Sequence, residues 1–370
     1  MTALHKAQQL APMIRAHSLE AQRQAQLSDD VVVAMQNSGL FDVLIPEDLG
    51  GQPIKLEDYL AVIEEVSAAD ASTGWCLMIS ATLSGYVATV GHDDLVAQVF
   101  DRQGVIIGGQ TSPRAQMQPH DGDWLLSGDF RFGSGCAHAG WLLCGFRHPN
   151  PADKDDHYLV LTPRKNATLR GGWNVIGLSG TGSMDYSISP THTPNSFVLP
   201  HNSFTPARPN DAFRLGLVCV MITGHVGVAL GLAKRALSEI GALAQEPRAA
   251  GQLIDRISFC EQFARQTARY RGAVELTRSA LTKAQTAAET NTVTDDHLKA
   301  IRLAALFATE AARDVVRFAY DSAATRAIGE DSVIGRLFRD IHVVAQHLLV
   351  DAGVYEDLGK ALLEPKKDNV

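Results

Sequence analysis

The spacing of apolar residues changes twice along this chain, and that double change restricts the fold more than any single motif. Through residues 1–103 the apolar positions recur at helical intervals: Leu56, Tyr59, Leu60, Ile63 and Val66 share one face, with charged residues between them. The stretch GLFDVLIPEDLGG, with Gly39, Pro46 and Gly50-Gly51, reads as a helix stop and loop, and Ser72 and Thr73 as N-caps of an apolar helix running toward Val90. From Gly104 to about Pro206 the texture becomes short apolar runs (VIIGG, DWLLSG, GWLLCGF, HYLVLTP) broken by Gly, Pro, Asn and Asp. Asp121-Gly122-Asp123 marks a turn between two of them. Past Asp211 helices return and lengthen. Leu253–Ala288 has few breakers besides Gly272, and Thr294-Asp295-Asp296 reads as an N-cap with an acidic first turn. That helix is expected to end at Gly329, and a last one from Val333 to pass Arg339, Asp340, His342 and His347. The pattern predicts an α+β, mainly α protein. Its parts are a helical domain (1–103), a central β domain of barrel or sandwich type (104–208) and an antiparallel helical bundle (209–370).

Composition removes several classes of function. A net charge of −8 without a basic run argues against nucleic-acid binding, since phosphates need a clustered positive surface. The Lys366-Lys367 pair reads as a solvated tail. Ala71–Gly91 carries no charge and Leu215–Ala233 none beyond a charge on His225, so both meet the ~20-residue length of a membrane span. The first is rich in Ser, Thr and Gly and the second is flanked by Arg214 and Lys234; both are read as buried central helices, with no membrane expected. Five scattered cysteines without a C-x-x-C pair point to free thiols in a reducing cytoplasm and to no zinc site. His342 and His347, five apart on one expected helix, do not face a common metal. The first residues lack a secretory apolar core, which again fits the cytoplasm.

Nucleotide and nucleophile signatures are missing. Gly177, Gly180 and Gly182 in GLSGTGS have the wrong spacing for G-x-G-x-x-G and precede strand-like sequence rather than a helix. Neither a P-loop nor a G-x-S-x-G elbow occurs. Four other segments, taken in order, carry a resemblance: GLFDVLIPEDLGG followed by EEVSAADASTGW, GDFRFGSGCAHAGWLLCG (128–145), WNVIGLSGTGSMDYSI (173–188) and RLFRDIHVVAQH (336–347). Together they resemble the acyl-CoA dehydrogenase superfamily, in its branch of flavin-dependent monooxygenases, and they span residues 39 to 347.

That resemblance implies an acyl-CoA dehydrogenase-like fold ending in a four-helix bundle. It also implies the oxygenase half of a two-component system. Reduced FMN or FAD would come from a separate flavin reductase, since no nicotinamide fingerprint is present, and O2 would form a C4a-hydroperoxide that oxygenates a small organic substrate. By the same resemblance Ser134 and the backbone beside it at Gly135 meet the flavin around N5 and O4, with Phe132, Trp141, Gly180 and Thr181 as further flavin contacts. His347 manages protons near neutral pH. From the residues alone, Ser134 also reads as a turn serine, Phe132 and Trp141 as core aromatics and His347 as a packed histidine. Arg339 and Asp340 read as a structural ion pair. Many acyl-CoA dehydrogenases carry a Tyr-Glu pair shortly after the same Arg-Asp, but Leu348 stands where the glutamate would be, and Tyr355-Glu356 comes two helical turns late. That departure speaks against α,β-desaturation of an acyl thioester; for that rival, Glu261 and Glu275 are the outside candidates for a base. A third reading is a non-catalytic homologue with a filled pocket. The family's second histidine, in the helix matching Ser72–Val90, is absent, with His92 only beyond its end, a departure that speaks against a phenol-activating histidine pair and a simple phenol as substrate; Ser80, Thr82 and Ser84 stand there and read as self-satisfied helix residues. The resemblance further implies a homotetramer built through the C-terminal bundle, to which the apolar 215–233 helix was expected to be suited.

Overall fold

Five helices open the chain: α1 (Ala3–Gln24), α2 (Asp29–Ser38), α3 (Leu56–Ala69), α4 (Ala71–Val90) and α5 (Asp93–Val99). The computed structural model describes residues 1–149, 157–247, 251–351 and 353–363, and the Lys366-Lys367 pair lies outside them. Gly39 ends α2 in the left-handed conformation (φ 75°), as its place in the sequence predicts. The cap of α4 differs from expectation. Asp70, not Ser72 or Thr73, holds its N-terminus, accepting the Thr73 amide and hydroxyl at 2.8 Å each. The reason is spacing, because only one residue separates α3 from α4 and that residue must cap. Ser72 is freed and accepts the amide of Gly180 (3.2 Å).

Strands occupy residues 107 to 200: β1 (Ile107–His120), β2 (Asp123–Phe130), β3 (Trp141–Arg147), β4 (His157–Pro163), β5 (Ala167–Arg170), β6 (Asp185–Thr193) and β7 (Val198–Pro200). Their order is β5-β6-β2-β1-β3-β4-β7, so two edges remain open and the sandwich alternative holds rather than a closed barrel. The first half of β1 pairs parallel with β3, and its second half pairs antiparallel with β2. The two halves meet face to face, with Cys144 of β3 3.4 Å from the Tyr186 hydroxyl of β6. At the β1–β2 turn both Asp121 (φ 50°) and Gly122 (φ 87°) are left-handed, which is the hairpin geometry the Asp-Gly pair signalled.

Helices return as α6 (Gly216–Ala244), α7 (Ile257–Glu289), α8 (Asp295–Ala323), α9 (Val333–Val344) and α10 (Gly353–Leu363). The two apolar stretches become α4 and most of α6, each 94% buried within the chain. Uniform burial explains why neither has a polar face. Residues 215–233 thus face the interior of this chain. Ser80, Thr82 and Ser84 bind the Ile107 amide, the Tyr59 hydroxyl and the Val105 carbonyl, tying α4 to α3 and to the start of the sheet. A capping box between Thr294 and His297 starts α8, with the Thr294 amide donating to His297 Nδ1 at 3.1 Å. Thr294→Ala is expected to lower stability by about 1 kcal/mol in urea unfolding, with no change in ligand binding. Two boundaries fall short of the sequence reading. The α8 helix stops at Ala323 and tightens into a 3-10 turn (Ala324–Ala327) before Gly329, and α9 stops at Val344, so His347 lies beyond its helix.

Candidate active site

A cavity of about 830 Å³ opens between α4, the start of α6, the sheet and the segment after α9. Its walls are mostly apolar, with Ile79, Leu83, Leu217 and Met221 among them, and among the described residues no Asp, Glu, Lys or Arg lines it. Four segments bring polar or aromatic groups to one edge. Ser134 sits in the loop after β2, where its carbonyl accepts the Gly109 amide of β1 (3.1 Å). Its Oγ accepts the Trp75 indole N–H from α4 (3.3 Å), which leaves the hydroxyl hydrogen free to donate. The Trp75 ring is edge-on to both His347 (5.6 Å) and His225 of α6 (6.0 Å), and the two imidazoles lie 5.6 Å apart.

These two histidines are electrically quiet. Burial, aided by His347, lowers His225 to about 3, and burial alone lowers His347 from 6.5. His225 Nε2 faces the Val344 carbonyl (3.0 Å), and that bond closes the end of α9. His347 Nδ1 accepts the Leu349 amide (3.3 Å), so the neutral ring carries its hydrogen on Nε2. His347 therefore presents one N–H donor as a side chain that lines the cavity.

The loop Trp173–Gly182 forms another wall. Asp340 fixes it, accepting the Leu178 amide at 2.7 Å with both residues buried. Leu178 is left-handed (φ 52°), and its carbonyl in turn accepts the Trp173 indole (3.0 Å) and the Thr181 hydroxyl (2.9 Å). Gly177 is required here, because a Cβ would stand 2.5 Å from the Arg339 carbonyl oxygen. Thus the expected Arg339–Asp340 ion pair is replaced by a carboxylate-to-backbone tie; among the described residues neither side chain forms a salt bridge with the other. Burial, with the Asp70 charge nearby, raises Asp340 to about 7 against the pull of Arg336 and Arg339.

Of the residues singled out from sequence, Phe132, Ser134, Thr181 and His347 line the cavity. Phe132 is exposed, left-handed (φ 56°) and held by its amide on Asp185 Oδ1 (3.1 Å), with its ring edge-on to Trp173. Gly135 and Gly180 lie one residue from the wall; Gly135 has open space where a side chain would be, and Gly180 is packed on Ser72. Trp141 does not join them. It starts β3, packs on Phe197 at 6.0 Å and lines a separate cleft of about 340 Å³, since the strand's alternation turns it away. Glu261 pairs with Arg265, and Glu275 is exposed on α7; neither reaches the cavity. Sequence reasoning missed Trp75, His225, Gln110 and the pair His157 and His201. His225 was visible as the one histidine in an otherwise apolar run.

Two family models match the chain: the acyl-CoA dehydrogenase N-terminal domain over residues 7–102 and the acyl-CoA dehydrogenase C-terminal domain over 223–352. Together they cover more than half of it. The chain belongs to the acyl-CoA dehydrogenase family. Within that family it is 29% identical over 205 residues to the flavin-dependent monooxygenase oxygenase subunit HsaA of Rhodococcus jostii, a match covering 53% of each chain. It is 24% identical over 349 residues to the indole-3-acetate monooxygenase of Pseudomonas putida, covering 93% of this chain and 89% of that one. The crystal structure of 3-HSA hydroxylase from Rhodococcus sp. RHA1 superposes with a TM-score of 0.89 at 20% identity, over 98% of this chain and 96% of that one. The acyl-CoA dehydrogenase architecture is therefore shared almost end to end, while the matched segment spans about half of the HsaA subunit.

Proposed function

We propose that this protein is the oxygenase component of a two-component flavin-dependent monooxygenase acting on a small aromatic substrate. The observation that carries the reading is the convergence, through Trp75, of an unspent Ser134 hydroxyl and the His347 N–H on one apolar cavity that has no carboxylate among the described residues. The relatives named as monooxygenases support it. The residues present fit an isoalloxazine. Gln110 Oε1 is buried without a hydrogen-bond partner and belongs to a cavity residue, so it suits the ring N–H of the flavin's pyrimidine half. Ser134 suits a carbonyl or N5, and Trp173 and Phe132 offer aromatic walls.

Bound reduced flavin, FMN or FAD, supplies the electrons that activate O2. This chain's residues do the rest. Ser134 and the His347 Nε2–H each donate a hydrogen bond at the reacting edge, and the apolar walls exclude water. A separate reductase supplies the flavin in the reduced state, and the location is cytoplasmic. A homotetramer is supported by apolar side chains exposed on α7 and α8, namely Ile257, Leu276 and Phe307. The acyl-thioester reading lacks support, because among the described residues no Asp or Glu lines the cavity to abstract a proton. The non-catalytic reading predicts a filled pocket, against the 830 Å³ observed.

Stopped-flow mixing of anaerobic protein and reduced FMN or FAD with oxygenated buffer tests the proposal. A transient absorbance distinct from both reduced and oxidised flavin is expected, and Ser134→Ala should shorten its lifetime by roughly tenfold, the worth of one good hydrogen bond. Return of oxidised flavin at the rate of flavin without protein would overturn the reading.

A further inference from the structure

A second imidazole cluster lines the same cavity away from the Ser134–His347 edge. His157 opens β4 and His201 follows β7; their rings stack with centroids 3.6 Å apart and planes inclined by 13°. The His201 amide donates to the His157 carbonyl (3.3 Å), which holds the two backbones in place. A bulge builds the other support. Gln110 pairs with Cys144 and Pro113 with Gly145, leaving Thr111 and Ser112 without opposite numbers on β3. The bulge brings Thr111 so close to β3 that a Cβ at Gly145 would lie 2.0 Å from its carbonyl oxygen. That oxygen meets His157 Nε2 at 2.9 Å. A carbonyl only accepts, so Nε2 carries the hydrogen and Nδ1 keeps a lone pair. The ring of His201 has no hydrogen-bond partner among the described residues.

Two imidazolium rings in contact repel strongly, and among the described residues no Asp or Glu lines the cavity to balance them. Burial together with His157 lowers His201 to about 4. What the pair presents is an aromatic platform with a ring-nitrogen acceptor, in a cavity whose lining also includes Leu83, Leu217, Val218 and Met221. Gly109 anchors Ser134 and Thr111 anchors His157, so both stations hang from the same short stretch of β1 and line one cavity.

We propose that His157 and His201 form a substrate-orienting station that accepts a hydrogen bond from the hydroxyl of a small phenolic substrate and so aims its ring at the Ser134–His347 edge. The chemistry that follows binding rests on the monooxygenase reading; the recognition itself does not need turnover to be measured. The missing second histidine of α4 is thereby replaced, at a different place in the fold, by a pair from the sheet.

The test compares p-cresol with p-xylene, which has nearly the same shape without the hydroxyl, binding to the full chain without flavin and read by quenching of Trp75 and Trp173 emission. The unaltered protein should bind p-cresol roughly tenfold more tightly. His201→Phe, which keeps a ring in the stack, should abolish that preference while p-xylene affinity stays within about twofold. His201→Gln, whose carbonyl still accepts, should retain part of it. Independently of any variant, the His201 ring nitrogens in 15N-histidine-labelled protein should shift on addition of p-cresol and not of p-xylene. Equal affinities in the unaltered protein, no nitrogen shift, or a preference undiminished in His201→Phe would each overturn the proposal. A failed stopped-flow experiment with the preference intact removes the monooxygenase reading and leaves the phenol station standing.

Discussion

Replacing His347 with alanine is expected to lower product formation by about 10²- to 10³-fold, the range for one positioned hydrogen-bond donor, while the affinity for flavin changes little. His347 is the one cavity-edge side chain with an N–H fixed by its own backbone, because Nδ1 is spent on the Leu349 amide. Without it the reacting edge loses that hydrogen-bond donor, and oxidised flavin should return with hydrogen peroxide instead of product. The ratio of product to peroxide, measured with the substrate that the binding experiments identify, checks this; an unchanged ratio removes His347 from the mechanism. The pH profile gives a second readout. Burial lowers the pKa of His347, and its ring neighbours Trp75 and His225 offer no negative charge to raise it again. Its neutral form therefore persists below the ordinary value of 6.5, and the acid-side loss of rate should begin below that point.

Asp340→Ala should be the most damaging substitution for the structure, at about 2–3 kcal/mol, since it leaves the buried Leu178 amide without a partner. The consequence is functional as well. Leu178 organises the loop that carries Trp173 and Thr181 into the cavity wall, so flavin affinity should fall along with stability. Asp340→Asn keeps an oxygen for that amide and separates charge from geometry. In the unaltered protein the Asp340 pKa is raised from 3.8 to about 7, so the fold favours its protonated form. The stability this gives is complete below about pH 4 and is lost as pH rises through about 7. Urea unfolding across that window should therefore show Asp340→Asn gaining on the unaltered protein as pH increases. A constant difference would mean that the carboxylate is ionised throughout.

The helices, the strands and many of their ends were legible in the sequence because they rest on local physics. The periodicity of residues 56–66, the Asp121-Gly122 turn, the Gly39 stop and the Thr294 cap each depend on neighbours only a few positions away. The order of four motif segments carried the family. Ser134, Phe132, Thr181 and His347 could be singled out because they stand inside those segments. What the sequence did not determine is which groups meet. Trp75, His225 and the stacked His157 and His201 come from separate elements, and nothing in their local spacing records that folding makes them neighbours. Trp141 stands within a motif yet faces a different cleft, because the pleat gives a strand two faces and only its packing partners decide which is which. Asp340 reads locally as one half of an ion pair with Arg339. The tertiary structure instead brings a loop 162 residues away to within 2.7 Å of it, and burial then prefers a backbone amide to an exposed charge.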